Sequence, residues 1–343
     1  MSRSLRSSGG IASLALAWAV ASAAAAEEPP PKHLPDHTPA QWLERMDHAL
    51  TTRNYDGTFS HWQGGRVEML RIIHRVQDGT VSERLASLDG SGREFIRTGS
   101  NLACYLPDRR TVLVEQRPAE ESLVGFPSVN DQTASLYDIR EIGHTRLNRR
   151  ETHVISVSPK DEYRYGYRLW IDDSTAMPLK SQLADAHGGV IEQIVFASLT
   201  LTAHIPDSAF RPEISTDGFQ WLRDDTAPHL QPGSTALAWS AMSLPPGFRM
   251  TVRSAQILPG TAGAVDHLVF TDGFASVSVF VERRTAPSGA PAVPESATVG
   301  SSSAFSTVVD GHKITAVGEV PPATVRFIAS QLKAQGSAPA AGR

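Results

Sequence analysis

The stretch Tyr163-Arg-Tyr-Gly-Tyr-Arg-Leu-Trp-Ile-Asp-Asp-Ser-Thr-Ala-Met-Pro-Leu179 decides how most of this chain is read. Tyr163, Tyr165, Tyr167, Leu169 and Ile171 alternate with Arg164, Arg168 and Trp170, the period-2 pattern of a strand with one apolar, aromatic face. Asp172-Asp173-Ser174 follows, residues whose side chains hydrogen-bond their own backbone in turns. Pro178-Leu179 then opens another strand. The segment therefore predicts an antiparallel strand pair.

Outward from it, the same grammar repeats. Strand-like runs are expected at 55–62, 66–77, 80–88, 92–98, 101–106, 110–116, 137–146, 152–158, 163–171, 178–185 and 190–200, punctuated by Asp78-Gly79, Asp89-Gly90, Pro107-Asp108 and Gly188-Gly189. Ahead of them, Thr38-Pro39-Ala40-Gln41 is a capping box with Pro at the first helical position. Trp42, Leu43, Met46, Ala49 and Leu50 continue at helical spacing, so a helix near 39–53 buries one stripe. Beyond residue 236, strands are expected at 248–258, 264–271, 274–283, 304–310 and 313–318, a long loop at 285–303, and a helix carrying Val325, Ile328, Ala329 and Leu332.

The two ends and the middle read differently. Arg3 and Arg6, the apolar run Ile11 to Val20 and the small residues before Glu27 predict a cleaved secretory signal peptide over 1–26, its core too short to span a bilayer. Residues 27–38 are a Pro-rich, disordered leader, 216–235 an interdomain linker and 336–343 a disordered tail. The remaining segments, 39–215 and 236–335, form a large and a small domain, within the reach of a chain of 343 residues with 41% hydrophobic content. A formal charge of −4 leaves no basic footprint for nucleic acid. Cys104, the only cysteine, has no partner for an internal disulfide and is expected to be a small buried hydrophobe.

No signature of catalysis emerges. Gly-x-Ser-x-Gly, His-Glu-x-x-His, Walker and Gly-x-Gly-x-x-Gly patterns are absent. His33 and His37 are four apart, but Pro31, Pro35 and Pro39 prevent the helix that would bring them together, and the other histidines lack ligand spacing. The acidic pairs Glu120-Glu121, Asp172-Asp173 and Asp224-Asp225 are sequence neighbours and do not converge on a strand. No catalytic residue, metal or cofactor is expected. Tyr163, Tyr165 and Tyr167 suit core packing or a ligand-facing wall, because a tyrosine ring is apolar while its hydroxyl can stay wet.

The aromatic strand, the Trp-x-Asp at 170–172 and the Pro-Leu at 178–179 resemble the strand–turn–strand of LolA/LolB-like lipoprotein carriers and of the RseB/MucB family. Tyr55 to Phe59, Leu85 to Phe95 and Ile191-Glu-Gln-Ile194 resemble the RseB/MucB large domain. Trp239, Leu244-Pro-Pro-Gly-Phe248, Thr271 to Phe280 and Val317-Gly-Glu-Val-Pro-Pro322 resemble its small domain, which the carriers lack. The resemblance implies an α+β protein: a LolA-like curved antiparallel half-barrel with helices in its concave face, joined to a smaller antiparallel α+β domain. It further implies a periplasmic regulator that binds a single-pass anti-sigma factor, shields it from site-1 proteolysis and is released by a lipid or lipopolysaccharide fragment. A homo-oligomer is compatible with the sequence. Phe59, Tyr163, Tyr165, Tyr167, Leu169 and Trp170 are the candidates for a lipid-facing wall or core. Trp239, Phe248, Phe274 and Phe280 are the candidates for partner binding. A lipid or lipoprotein carrier is the alternative, and a periplasmic hydrolase would need a nucleophile and base that the sequence does not present.

Overall fold

The computed structural model describes residues 37–116, 122–127, 134–223, 238–257, 264–283 and 294–335; the signal peptide, most of the leader, the tail and most of the linker fall outside them. Helix α1 (Pro39–Thr52) starts as the sequence predicts: the Thr38 N–H donates to Gln41 Oε1 at 2.8 Å and the Gln41 N–H to Thr38 Oγ1 at 3.3 Å. That reciprocal pair satisfies two amides that a helix start otherwise leaves orphaned.

Twelve strands follow: β1 (Tyr55–Gln63), β2 (Arg66–Gln77), β3 (Thr80–Ser87), β4 (Glu94–Thr98), β5 (Asn101–Leu106), β6 (Thr111–Gln116), β7 (Tyr137–Leu147), β8 (Arg150–Pro159), β9 (Gly166–Asp172), β10 (Pro178–Ala184), β11 (Val190–Leu201) and β12 (Gln220–Arg223). They form one curved sheet in the order β12-β6-β5-β4-β3-β2-β1-β11-β10-β9-β8-β7, so β1 closes on β11 and the two hairpin series meet in the middle. Neighbours pair antiparallel except β12, which runs parallel to β6. The expected linker therefore begins as structure: Gln220 to Arg223 lack any periodicity, but they extend the edge of the sheet and find backbone partners there.

The inner face of this sheet and the apolar stripe of α1 share one core. Trp42, Leu43 and Met46 meet Phe59, Ile72, Ile155, Val157, Leu169, Ile171 and Phe196, all essentially excluded from solvent. Each such side chain contributes about 1.5–3 kcal/mol through burial, which a protein without disulfides must rely on. Cys104 is buried, as its apolar neighbours suggest.

The second domain holds β14 (Arg249–Ile257), β15 (Ala264–Thr271), β16 (Ser276–Arg283), β17 (Glu295–Val299), β18 (Ser302–Val309) and β19 (His312–Gly318) in the order β14-β15-β16-β19-β18-β17. Helix α2 (Pro322–Ser330) packs on β18 and β19, and β13 (Ala238–Ala241) pairs with β20 (Leu332–Gln335). Two expectations change here. The long loop at 285–303 contains β17, whose exposed side chains give no apolar alternation because it is an edge strand. The C-terminal helix stops at Ser330, and Leu332 belongs to β20.

The aromatic run is also divided. β9 begins only at Gly166, so Tyr163 and Tyr165 precede the strand and do not share a face with Tyr167, Leu169 and Ile171. A bend there lets the chain turn toward the second domain, and both tyrosines attach to it.

Candidate functional site

A cleft of about 520 Å³ opens on the concave side of the large sheet, within the size range of small-molecule sites. Its floor comes from inward positions on adjacent strands: Phe59 of β1 lies opposite Leu70 of β2, with Leu85 of β3 beside them, while Phe196 of β11, opposite Phe59, and Ile72, opposite Leu85, belong to the core. Tyr167 of β9, Leu183 of β10 and Ile194 of β11 extend the apolar lining. These are inward positions of a pleated sheet, so period 2 alone places them together.

One wall is the segment 122–127, which carries Leu123, Val124 and Phe126. The ring of Phe126 lies nearly parallel to Phe196, 6.4 Å away. Glu83 anchors this wall from below: its carboxylate accepts from Ser122 Oγ at 3.0 Å and from the Leu123 N–H at 2.9 Å. The same carboxylate is fully buried beside Arg97 Nη2 at 3.1 Å, with His74 Nε2 at 3.8 Å and the Tyr55 ring stacked on His74. Burial pushes the His74 imidazole below its ordinary range.

The opposite wall comes from the second domain, through Gly273, Phe274 and Glu319. Phe274 enters the core of the large domain, 4.9 Å from the Tyr137 ring and 6.4 Å from Tyr167. A buried hydrogen-bond set fixes it there. Asp272 accepts from the Phe274 and Ala275 amides at 2.8 Å each, and from Arg164 Nε at 2.8 Å. Arg164 also donates to Asp161 and to the Pro246 carbonyl. Tyr165 Oη donates to the Val320 carbonyl at 3.1 Å, Thr324 Oγ1 to the Tyr163 carbonyl at 2.7 Å, and Gln63 Nε2 to Ser301 Oγ at 2.8 Å. Gly247, at φ 78°, meets Leu136 so closely that an added Cβ would stand 2.5 Å from Leu136 Cδ1; only glycine fits both the turn and the approach.

The rim of the cleft is polar. His61 Nε2 lies 3.1 Å from Glu192 Oε1, and that hydrogen bond raises the imidazole above its ordinary range. Glu319 is raised above the usual carboxylate range, first by burial and then by Glu192, with His61 opposing. A carboxyl whose folded value is raised binds its proton more tightly folded than unfolded, so stability is lost as pH rises through that range. Glu319→Gln is expected to be more stable than the parent at pH 8, with the difference vanishing toward pH 4. Urea melts at the two pH values check this, and a constant difference would place Glu319 in solvent.

The candidates from sequence scatter across this architecture. Phe59, Tyr167 and Leu169 share the inner face, Phe59 and Tyr167 lining the cleft and Leu169 buried in the core behind it. Trp170 is on the outer face, with Lys180 Nζ 4.3 Å over its ring. Tyr163 stacks edge-on against Phe327 of α2 at 5.3 Å. Trp239 and Phe248 are 1% and 6% exposed in the core of the second domain, where a partner cannot touch them. Phe280 stacks on His267 at 4.6 Å, and Phe274 alone of that group reaches the cleft. Arg164, Asp272, Glu83 and Arg97 escape the sequence reading. The Thr-Asp-Gly-Phe turn at 271–274 was the one available signal, since its Asp is placed to bond the two amides that follow.

This chain matches the MucB/RseB N-terminal domain over residues 38–214 and the MucB/RseB C-terminal domain over residues 233–333. It is 31% identical over 303 residues to the sigma factor AlgU regulatory protein MucB of Pseudomonas aeruginosa, spanning 87% of this chain and 92% of that one. Identity to the sigma-E factor regulatory protein RseB of Salmonella typhimurium is 29% over 297 residues, spanning 85% and 89%. The fold superposes on the solved Pseudomonas aeruginosa MucA/MucB complex with a TM-score of 0.69 at 28% identity, over 87% of this chain and 99% of the matched one.

Proposed function

The chain belongs to the MucB/RseB family, and from that premise we propose that it is a periplasmic regulator, not a catalyst, which binds the periplasmic segment of a single-pass anti-sigma factor. In this role it shields the segment from site-1 proteolysis and is released by a lipid that occupies the cleft. The carrying observation is the collinear match through both domains to a chain solved in complex with MucA. A LolA/LolB-type carrier accounts for the large domain only.

The shared cleft supports a coupling between the two ligands. Its walls come from both domains, so a lipid seated there acts on the surface that joins them. Coupling between two sites is reciprocal: lipid weakens partner binding by the factor by which the partner weakens lipid binding. Turning a population from 99:1 bound to 1:99 needs about 5.5 kcal/mol of preference, which roughly seven buried methylenes at about 0.8 kcal/mol each supply. With Trp239 and Phe248 taken up by the core, the exposed large apolar side chains of the small domain, among the described residues, are Met242, Met250, Val299 and Val317.

Acyl chains are accordingly expected to carry the signal. With a labelled anti-sigma segment bound, intact lipopolysaccharide displaces it and the deacylated head group at equal concentration does not. Equal displacement by both would make the response electrostatic, and displacement by neither would remove the lipid from the proposal.

A further inference from the structure

The histidines look dispersed along the sequence, yet two of them meet at the free edge of the large sheet. β7 is an edge strand, and it breaks register with β8: Glu141 lies opposite Ile155 and Gly143 opposite Val154, leaving Ile142 without a cross-strand partner. In an unbroken strand, residues three apart point to opposite faces. The extra residue of this bulge returns Glu141 and His144 to one face, and His144 lies directly opposite His153.

Three ligand atoms converge as a result. His153 Nδ1 is 2.7 Å and His144 Nε2 2.8 Å from Glu141 Oε1, and all three atoms lie within 4.8 Å of one another. Behind them, His153 Nε2 stands 3.0 Å from Asp173 Oδ1. With Nε2–H given to Asp173, the Nδ1 lone pair points to Glu141, where a cation between them would take both as ligands. A carboxylate behind a histidine is the usual support of a metal-bound imidazole, fixing its tautomer and ring orientation. Trp42 of α1 stacks on the His153 ring at 3.9 Å, covering it from solvent and holding its plane.

We propose that Glu141, His144 and His153 form a binding site for a divalent d-block cation of the zinc class, with Asp173 as the positioning residue behind His153 and a coordination position left for water. Two imidazoles and one carboxylate are a donor set that zinc takes with an open position. Zinc–nitrogen bonds of about 2.0–2.1 Å set tetrahedral ligand atoms roughly 3.4 Å apart, so each atom here needs to move by less than about 1 Å. The site lies at the sheet edge beneath α1, away from the residues that line the cleft.

The test uses the full chain, expressed with its own leader and purified without a polyhistidine tag. Zinc chloride titrated calorimetrically is expected to bind one ion per chain at micromolar concentration, and cobalt(II) to give the visible absorption of a four-coordinate centre. His144 is largely exposed, so His144→Ala is expected to fold normally and to abolish both signals. Asp173→Asn is expected to weaken zinc about 10- to 100-fold. His37→Ala is expected to leave binding unchanged. Absence of zinc heat and of the cobalt spectrum in the parent chain would overturn the site, leaving Glu141 as a hydrogen-bond partner of the two imidazoles. Full zinc affinity in His144→Ala, or its loss in His37→Ala, would overturn it in favour of other ligands.

Discussion

Replacing Arg164 with alanine is expected to lower the stability of the folded chain by about 3–5 kcal/mol and to detach the small domain from the large one. The guanidinium is almost wholly excluded from solvent, and Asp272, its partner across the domain junction, is fully buried. Breaking such a pair from one side strands the other charge in a low-dielectric place, which costs far more than the pair contributes against an apolar substitute. Asp272 also holds the turn that delivers Phe274 to the cleft, so the damage spreads to the binding wall. Denaturant unfolding followed by tryptophan fluorescence checks the loss. Arg164→Met combined with Asp272→Asn, which leaves no buried charge of that pair and keeps an acceptor for the Phe274 and Ala275 amides, is expected to recover part of it. A loss below about 1 kcal/mol for Arg164→Ala would mean that water reaches the pair in solution.

The second large effect is expected at Glu83. Glu83→Ala removes a fully buried counter-charge of Arg97, itself 3% exposed, together with both hydrogen bonds that hold Ser122 and Leu123. The cost is again about 3–5 kcal/mol, and it has a local signature. The Leu123 amide loses its acceptor, so its hydrogen exchange is expected to accelerate more than that of strand amides in β3 and β4. Glu83→Gln keeps an acceptor for that amide and loses only the charge, so it should unfold early yet retain part of the Leu123 protection. Equal protection in parent, Gln and Ala variants would separate the 122–127 wall from the buried carboxylate.

What could be read from the sequence follows the range of the forces involved. The capping box at Thr38, the period-2 strands and the apolar stripe of α1 are local patterns, and each is present where it was expected. Tyr167, Leu169 and Ile171 obey the alternation, whereas Tyr163 and Tyr165 continue it in sequence only, because the chain bends before Gly166 to meet the second domain. Contacts between distant residues leave no periodic trace: Arg164 and Asp272 are 108 positions apart. Strand β12 is invisible for a related reason, since its side chains are all exposed and what orders it is backbone pairing with β6 and an edge-on contact of Trp221 with Tyr105, neither of which leaves a local pattern. Trp239 and Phe248 show the converse error. Large aromatics in a small domain suit an interface and a core equally, and here the core of the small domain uses both.

We propose that this chain recognises an anti-sigma factor mainly through the small domain and its linker. The most direct measurement is a titration of the periplasmic segment of the single-pass anti-sigma factor from the same organism into the full chain, and into a chain ending after Arg223. That end point keeps β12 on the sheet. Saturable 1:1 binding to the full chain and a loss of most of the affinity in the shortened one are expected. No binding to the full chain would contradict the function, and equal affinity in the two would contradict the role given to the small domain.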